Sequence, residues 1–290
     1  MAEVFGIVTG ALSIAALFNN CVDCFTYIQL GCHIERDYQT CQLKLDVAQV
    51  RLSRWGEAVG INRHSAFGMA SPQEQPIQLA RSILEQILCF FHAAQRMSLR
   101  YKMTAEPQKL IVYEEKDFTS FFGSLHSRLK GFAQRRQQGA SLLKKTTWAL
   151  YDGKEFEEII SKISAFIEEL ERLFPVEAAC SHLATIEVAE LDNHEIAGLD
   201  NSTSLTALRD TAQDLDPALF AATAQKMQII ASRNLAVDVR ASSDSDIQVG
   251  NQYGEGFLRD ATIMEKTSNS GERVSATDRA RVQIGGRFGV

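Results

Sequence analysis

Cysteine and histidine residues are the first candidates for chemistry in this chain, because their side chains can bind a metal ion or exchange electrons. Cys21 and Cys24 have the spacing of a redox pair or of half a zinc site. No second Cys/His pair with ligand spacing follows them and no predicted strand precedes them, so the sequence favours two small residues packed on a helix. His92, His126 and His182 also lie on helical patterns without a partner at ligand spacing. The sequence therefore predicts no metal site.

Catalytic motifs are the next place to look for chemistry. The sequence has no Gly-rich phosphate loop, no HExxH zinc motif and no GxSxG nucleophile turn. The six cysteines come without an export signal, so we expect reduced thiols and a cytoplasmic protein. These observations predict a protein that is not an enzyme and needs no cofactor.

The most informative feature is a short sequence motif that occurs twice, with opposite charges at equivalent positions of the two copies. DIQVGNQYG at 246–254 returns as RVQIGGRFG at 281–289, within longer repeats at 234–254 and 269–289. The charged positions reverse sign between the repeats, pairing Asp238 with Arg273, Asp244 with Arg279, and Asp246 with Arg281. Other positions keep their character, and these predicted amyloid-core residues are Asn234, Val239, Ile247, Val249, Gly250, Asn269, Val274, Val282, Ile284 and Gly285.

Parallel stacking of the two repeats would explain this pattern. Side chains alternate along a strand, so Asp246 and Gln248 share one face while Ile247 and Val249 share the other. If each repeat forms one layer, or rung, every acid lies about 4.7 to 4.9 Å from a base in the next rung. Such cross-strand pairs stabilise by roughly 0.2–1 kcal/mol each. Repeat architectures need more than two rungs, so stacking must continue between molecules. The sequence predicts a parallel, in-register β-solenoid amyloid with two rungs per chain, joined by a connector at 255–268.

Helices are the elements that precede the repeats. The 290 residues are 45% hydrophobic, which is enough for a substantial core. Apolar residues recur every three or four positions and predict helices near 37–59, 77–97, 117–136, 140–151, 154–173, 176–191, 204–215 and 217–233. The predicted fold class is all-α, a multi-helix bundle with at most a short β-hairpin. After Asn234 the apolar residues thin out, so we expect the tail to be disordered as a monomer.

The overall charge restricts the partners. A net charge of −6 and a pI near 5.6 argue against a nucleic-acid surface.

The amino-terminal segment is a second functional candidate. Residues 4–22 are nineteen positions without a charge, close to the roughly 20 residues that cross the hydrocarbon core of a bilayer. Gly6 and Gly10 form a GxxxG pair that permits close helix packing in lipid, and Phe18 lies on the apolar stripe. The same stripe can be buried in a soluble domain. Both states can occur in turn, with segment 1–30 buried at rest and inserted in a membrane after activation.

Together with the repeats, three segments carry a family resemblance: VFGIVTGAL at 4–12, RDYQTCQLKLDVAQVRLSRWGEAV at 36–59 and KKTTWALYDGK at 144–154. The chain resembles the fungal HET-s/HET-S heterokaryon-incompatibility proteins. The resemblance implies an α-helical HeLo effector domain over 1–227, which dimerises in some members. It also implies a prion-forming domain over 228–290.

The resemblance further implies partners and a mechanism. A fibril of the same chain, a related family member, or a matching amyloid motif on an NLR-type sensor converts the tail into its solenoid form. The conversion releases the amino-terminal helix, which inserts in the cell membrane and kills the cell by permeabilisation. His33 stands where lethal members have His and protective members have Pro, and Asp23, which is also implicated in toxicity, is retained. The alternative is a non-toxic prion-propagating or adaptor protein whose tail only binds partners by β-augmentation.

Overall fold

The computed structural model of the chain describes residues 13–31, 38–63, 75–137, 147–192, 201–231, 233–249 and 268–284. The chain divides into two units, Met1–Thr223 and Ala224–Val290. The helices within the described ranges are α1 (Ile14–Phe25), α2 (Tyr38–Ala58), α3 (Gln75–Thr104), α4 (Ser120–Arg136), α5 (Gly153–Leu173), α6 (Glu177–Asp192), α7 (Asn201–Ala212) and α8 (Pro217–Ala231). Short 3₁₀ turns at Pro107–Leu110 and Glu115–Asp117 join α3 to α4.

Helix α2 is the centre of the helical unit. Its residues from Leu45 to Gly56 are buried on every side, and it packs against α1, α4, α5, α6 and α7. A helix that is buried all round must supply partners for each polar group that it carries. The buried charged residues of α2, among them Arg54, therefore require hydrogen-bonding or oppositely charged partners on the neighbouring helices.

Helices α1 and α5 are amphipathic and have side-chain caps. Helix α5 buries one stripe at helical spacing: Phe156, Ile159, Ile160, Ile163, Ile167 and Leu170. Its N-cap Asp152 accepts hydrogen bonds from the backbone N–H groups of Lys154 and Glu155, at 2.8 and 3.0 Å. Ser13 caps α1 in the same way, accepting from Ala16 N–H at 3.1 Å.

One predicted helix is partly wrong. Within the predicted helix 140–151, residues Trp148–Leu150 form strand β2, which pairs in parallel with β1 (Ile28–Leu30). All three residues of β2 are buried, and the Gly31 N–H donates to the Leu150 carbonyl at 2.6 Å. Long-range pairing has overridden the local pattern here. The paired strands are distant in sequence and parallel, and the fold remains mostly helical with short strands, as predicted.

The second unit contains six short strands. Those of the first repeat are β3 (Arg233–Val237), β4 (Arg240–Ala241) and β5 (Asp246–Val249), and those of the second are β6 (Ser268–Glu272), β7 (Ser275–Ala276) and β8 (Arg281–Ile284). They form three parallel pairs, β3 with β6, β4 with β7, and β5 with β8. The structure thus gives the stacked form of the tail, and its disorder as a lone monomer stays a prediction.

Candidate functional site

Helix α1 contains the predicted membrane-inserting residue Phe18 and is covered by other helices. It packs against α2 and α3. Phe18 is fully buried, with its ring centroid 6.1 Å from that of Trp55 in α2. At the other end of α1, Phe25 meets Phe91 of α3 edge-on at 5.1 Å. The apolar stripe of α1 is therefore buried against protein in this state.

A glycine of α2 sets how closely α1 can approach. A Cβ atom built on Gly56 would lie 2.1 Å from Phe18 Cζ and 2.4 Å from Cε2. Since a helix-interior glycine costs about 1 kcal/mol relative to alanine, helix propensity does not explain this residue. The close packing of the Phe18 ring against the α2 backbone explains the glycine.

Gly56→Ala is expected to loosen α1 from the helical unit. The added methyl group overlaps a fully buried ring, and overpacking of this kind costs about 1–3 kcal/mol. Amides of residues 14–25 should then exchange with deuterium faster in a mass-spectrometric measurement. The matched control is Gly131→Ala in α4, where no heavy atom lies within 4 Å of the added Cβ. Unchanged exchange in the Gly56 variant would contradict the role assigned to this contact.

Side-chain amide groups form hydrogen bonds with polar groups of α1. Gln137 donates from Nε2 to Asp23 Oδ1 at 2.7 Å. Asn19 and Asn62 exchange side-chain hydrogen bonds of 3.1 and 3.2 Å. Gln49 of α2 donates to the Val22 carbonyl of α1 at 3.0 Å. Asp23, which the family resemblance links to toxicity, is thus half-buried and hydrogen-bonded in this state.

Other parts of the predicted amino-terminal site are not described. Gly6, Gly10 and His33 lie outside the described residues, so their roles stay predictions. Among the helices of the described ranges, none is both long enough and apolar enough to cross a bilayer.

The cysteine pair of α1 is part of the packing. Burial raises the pKa of both Cys21 and Cys24, which keeps them as neutral thiols. Cys21 donates from Sγ to the Leu84 carbonyl at 3.3 Å. Within the described ranges, no cluster of His, Cys, Asp and Glu has the arrangement of a metal site.

The strand pairs of the second unit share one offset of thirty-five residues. Register partners among the predicted amyloid-core residues are Asn234 with Asn269, Ile247 with Val282, and Val249 with Ile284. Val239 and Val274 are half-buried, and the Ser275 N–H donates to the Val239 carbonyl at 2.8 Å. Gly250 and Gly285 lie outside the described residues.

The chain turns at the same two places in each repeat. Asp238 and Arg273 both have φ of 53°, and Ser243 and Asp278 have φ of 62° and 60°. These left-handed conformations are uncommon for residues other than glycine. At the second turn, Ser243 N–H donates to Asp278 Oδ2 across the rungs at 3.3 Å. Equivalent residues thus have equivalent backbones, which allows rung to stack on rung.

The three pairs of opposite charges differ in the contacts that they make. Arg273 donates to the Asp238 carboxylate through Nε and Nη2, the latter at 2.9 Å from Oδ2. Asp246 lies opposite Arg281 in the register. Asp244 and Arg279 occupy equivalent turn positions, with the Arg279 N–H donating to the Ser243 carbonyl at 3.1 Å. Asp238 and Arg273 form an ion pair inside the chain. Arg279 and Arg281 are exposed, as are Asp244 and Asp246.

Reversing one charge tests whether the register continues between molecules. Asp246→Arg places like charges side by side at Arg281 and is expected to slow fibril growth, measured by thioflavin fluorescence. Adding Arg281→Asp restores opposite charges and should recover the rate. Failure of the double variant to recover would contradict in-register stacking of acids over bases.

A buried ion network is the feature that the sequence did not predict. Arg54 of α2 binds Glu187 of α6 through Nε and Nη2, at 3.1 and 2.6 Å. Its Nη1 donates to both oxygens of Asp216, at 2.9 and 2.8 Å. Arg136 of α4 adds a second cation, 2.6 Å from Glu187. The available signal was the pair of arginines inside the apolar run VRLSRW at 50–55, since arginine in a buried stripe requires partners.

Comparisons with known proteins agree across the whole chain. Residues 6–206 match the HeLo family model, described as prion-inhibition and propagation, and residues 226–289 match the HET-s 218-289 model. The heterokaryon incompatibility proteins s and S of Podospora anserina are each 46% identical over all of this chain and 98% of their own length. The solved structure of the HET-s N-terminal domain superimposes with a TM-score of 0.69 at 48% identity, covering 76% of this chain and 100% of that one. A doubly substituted variant of that domain gives the same TM-score and covers 74% of this chain and 99% of its own.

Proposed function

This chain belongs to the HeLo family of fungal heterokaryon-incompatibility proteins, and from that membership we propose that it is an amyloid-controlled cell-death effector. Templated folding of the tail into a two-rung β-solenoid activates the helical unit. The activated unit then releases its amino-terminal segment 1–30, which inserts in the cell membrane and permeabilises it.

The trigger is supported by the common register of the repeats, which is the observation that carries this proposal. Each rung is paired on one side within the chain, and among the described strands its other side is an open edge. Acids on the first repeat and bases on the second make one molecule complementary to the next. A second copy, or a matching motif on a relative or an NLR-type sensor, can supply the missing edge.

The effector step is supported by the way α1 is held. Its apolar stripe is covered by α2 and α3, and the Phe18 ring packs closely against Gly56 of α2. Such a helix changes environment when its neighbours shift. In sequence, α1 continues from the uncharged residues 4–12, which extend the apolar run toward the length of a membrane span. Helix α8 leads directly into β3, so the chain itself connects the tail to the last helix.

The proposed location follows from these two steps. The chain is cytoplasmic when soluble, has a self-complementary tail, and inserts in the cell membrane only after activation. A dimer of the helical unit, as the family resemblance implies, belongs to the resting state.

Seeded dye release tests the proposal. Full-length chain is added to dye-loaded vesicles with preformed fibrils of residues 224–290, and release is expected only when seed and chain are both present. The matched control is Val249→Pro, which removes a ladder N–H within β5 and should prevent templating while leaving the helical unit folded. Fibril growth without release would instead assign the chain the prion-propagating or adaptor role. Absence of fibril growth would remove the trigger.

A further inference from the structure

The exposed apolar side chains of the described residues are concentrated at one corner. Eight large hydrophobic residues are exposed, and five of them fall between residues 97 and 111: Met97, Leu99, Tyr101, Met103 and Ile111. Met103 is 84% exposed and Ile111 is 59% exposed. This corner, residues 96–111, comprises the end of α3 and the 3₁₀ turn that follows it.

The same corner is basic in an acidic protein. It carries Arg96, Arg100, Lys102 and Lys109 against a single carboxylate, Glu106, while the chain as a whole has a net charge of −6. Lys109 pairs with Glu106 at 3.8 Å. The other three cations form no ion pair with any described residue.

Helical spacing combines the two properties on one face. Arg96, Leu99, Arg100 and Met103 stand at positions i, i+3, i+4 and i+7 of α3, so they share a face, and all four are exposed. A face of this kind, with cations beside large apolar side chains, is typical of helices that bind at the boundary between headgroups and acyl chains.

The corner is held in place on its inner side. Ser98 is buried, and its hydroxyl donates to the Ala149 carbonyl of β2 at 2.6 Å. Tyr101 stacks on Tyr151 with ring centroids 5.1 Å apart. The outer face is therefore presented by a fixed helix end, which lowers the entropy that binding must offset.

We infer that the corner formed by residues 96–111 is a docking surface for bilayers that carry anionic headgroups. The guanidinium groups of Arg96 and Arg100 bind the phosphate and carboxylate groups of the lipid surface. Leu99 and Met103 enter the acyl boundary beside them. Since the chain as a whole has a net charge of −6, this basic face favours one orientation of the molecule on an anionic surface. The inference deepens the proposed function by naming the lipid class and the part of the helical unit that meets it first.

Vesicle flotation of the unseeded full-length chain tests the docking surface. We expect binding to phosphatidylcholine vesicles that contain phosphatidylserine, weak binding to phosphatidylcholine alone, and loss of binding at high salt. Arg96→Glu with Arg100→Glu should weaken binding to the anionic vesicles by at least about 30-fold. Arg63→Glu with Arg172→Glu is the matched control, because it changes the net charge equally at two other exposed sites.

A second pair of variants separates the apolar contribution. Leu99→Ser with Met103→Ser keeps both cations and should also weaken flotation, since insertion adds to charge attraction. Equal binding of both vesicle types, or equal loss in the control, would overturn the inference. So would a change of sedimentation to a smaller species in the Arg96/Arg100 variant with flotation unchanged, because the corner would then be an interface between two copies. Flotation uses no seed, so this result is independent of dye release: docking without release leaves the inference standing and removes the proposed permeabilisation.

Discussion

Gly271→Ala is expected to slow fibril growth of the full-length chain strongly, and Ile284→Val added to it is expected to restore growth. A Cβ atom on Gly271 would lie 2.2 Å from Ile284 Cδ1 and 2.9 Å from Val274 Cγ2. The methyl group would overlap the end of the Ile284 side chain, which would have to move out of its packing position. Overpacking costs about 1–3 kcal/mol at one site, and here the site recurs in every molecule of the stack.

The rescue follows from the register. Ala236 lies opposite Gly271, and Val249 lies opposite Ile284. The first repeat therefore has the pair alanine and valine where the second has glycine and isoleucine, so that a carbon is lost at one position and gained at the other. The double variant gives the second rung the pair that the first rung already uses.

Growth rate after seeding and the concentration of chain left soluble at equilibrium are the measurements. Gly131→Ala is the control, because its added Cβ meets nothing within 4 Å and lies in the helical unit. A single variant that grows as fast as the unchanged chain would show that the second rung is not packed as described. A double variant no faster than the single one would show that Ile284 is not the residue that the methyl group meets.

The pairing of the repeats could be predicted because the information is carried by each residue and its partner. Ile247 and Val282 are both apolar, and Asp246 and Arg281 are opposite in charge, so the offset that matches them is visible in the sequence alone. Backbone conformation is not visible in this way. Nothing about an arginine indicates the left-handed φ of 53° at Arg273, which is imposed by the need to turn where Asp238 turns.

The helical unit also contains elements that the sequence predicts and elements that it does not. The stripe of α5 is predicted by its spacing, since each buried residue lies three or four positions from the next. Strand β2 is not, because Trp148 and Leu150 are buried by pairing with a strand far back in the chain. Pairing at that separation leaves no local period to detect.

The candidate site at α1 was predicted only in part. The apolar stripe containing Phe18 follows from spacing, but the contact that limits it is a glycine in another helix. Gly56 gives no signal in the sequence, because a helical glycine is recognised as a packing residue only when its neighbour is known.

Arg54→Met is expected to destabilise the helical unit by about 3–5 kcal/mol, since it leaves buried carboxylates without their partner. The side chains of Arg54, Glu187 and Asp216 are each 1% exposed. Burial lowers the pKa of the Arg54 guanidinium, but Asp216 and Glu187 outweigh that effect and the pKa is raised. The arginine is therefore always charged, and without it Asp216 loses its ion-pair partner while Glu187 keeps only Arg136 among the described residues.

The network also fixes the start of the last helix. Asp216 is the N-cap of α8, accepting from the Leu219 N–H at 3.1 Å while it binds Arg54. Arg51 reaches the preceding residue, donating from Nη1 to the Leu215 carbonyl at 2.7 Å. Two arginines one turn apart on α2 thus hold the beginning of the helix that continues into the tail.

Chemical unfolding of the soluble chain measures the destabilisation. Arg172→Met is the control, because that exposed arginine forms an ion pair with the exposed Glu168 of its own helix. The control should unfold with the unchanged chain. If tail conversion activates the helical unit by loosening α8, the Arg54 variant should also release dye from vesicles without seed. A variant that unfolds as easily as expected yet still requires seed would separate the stability of the helical unit from its activation, and would place the coupling between tail and effector elsewhere than at the start of α8.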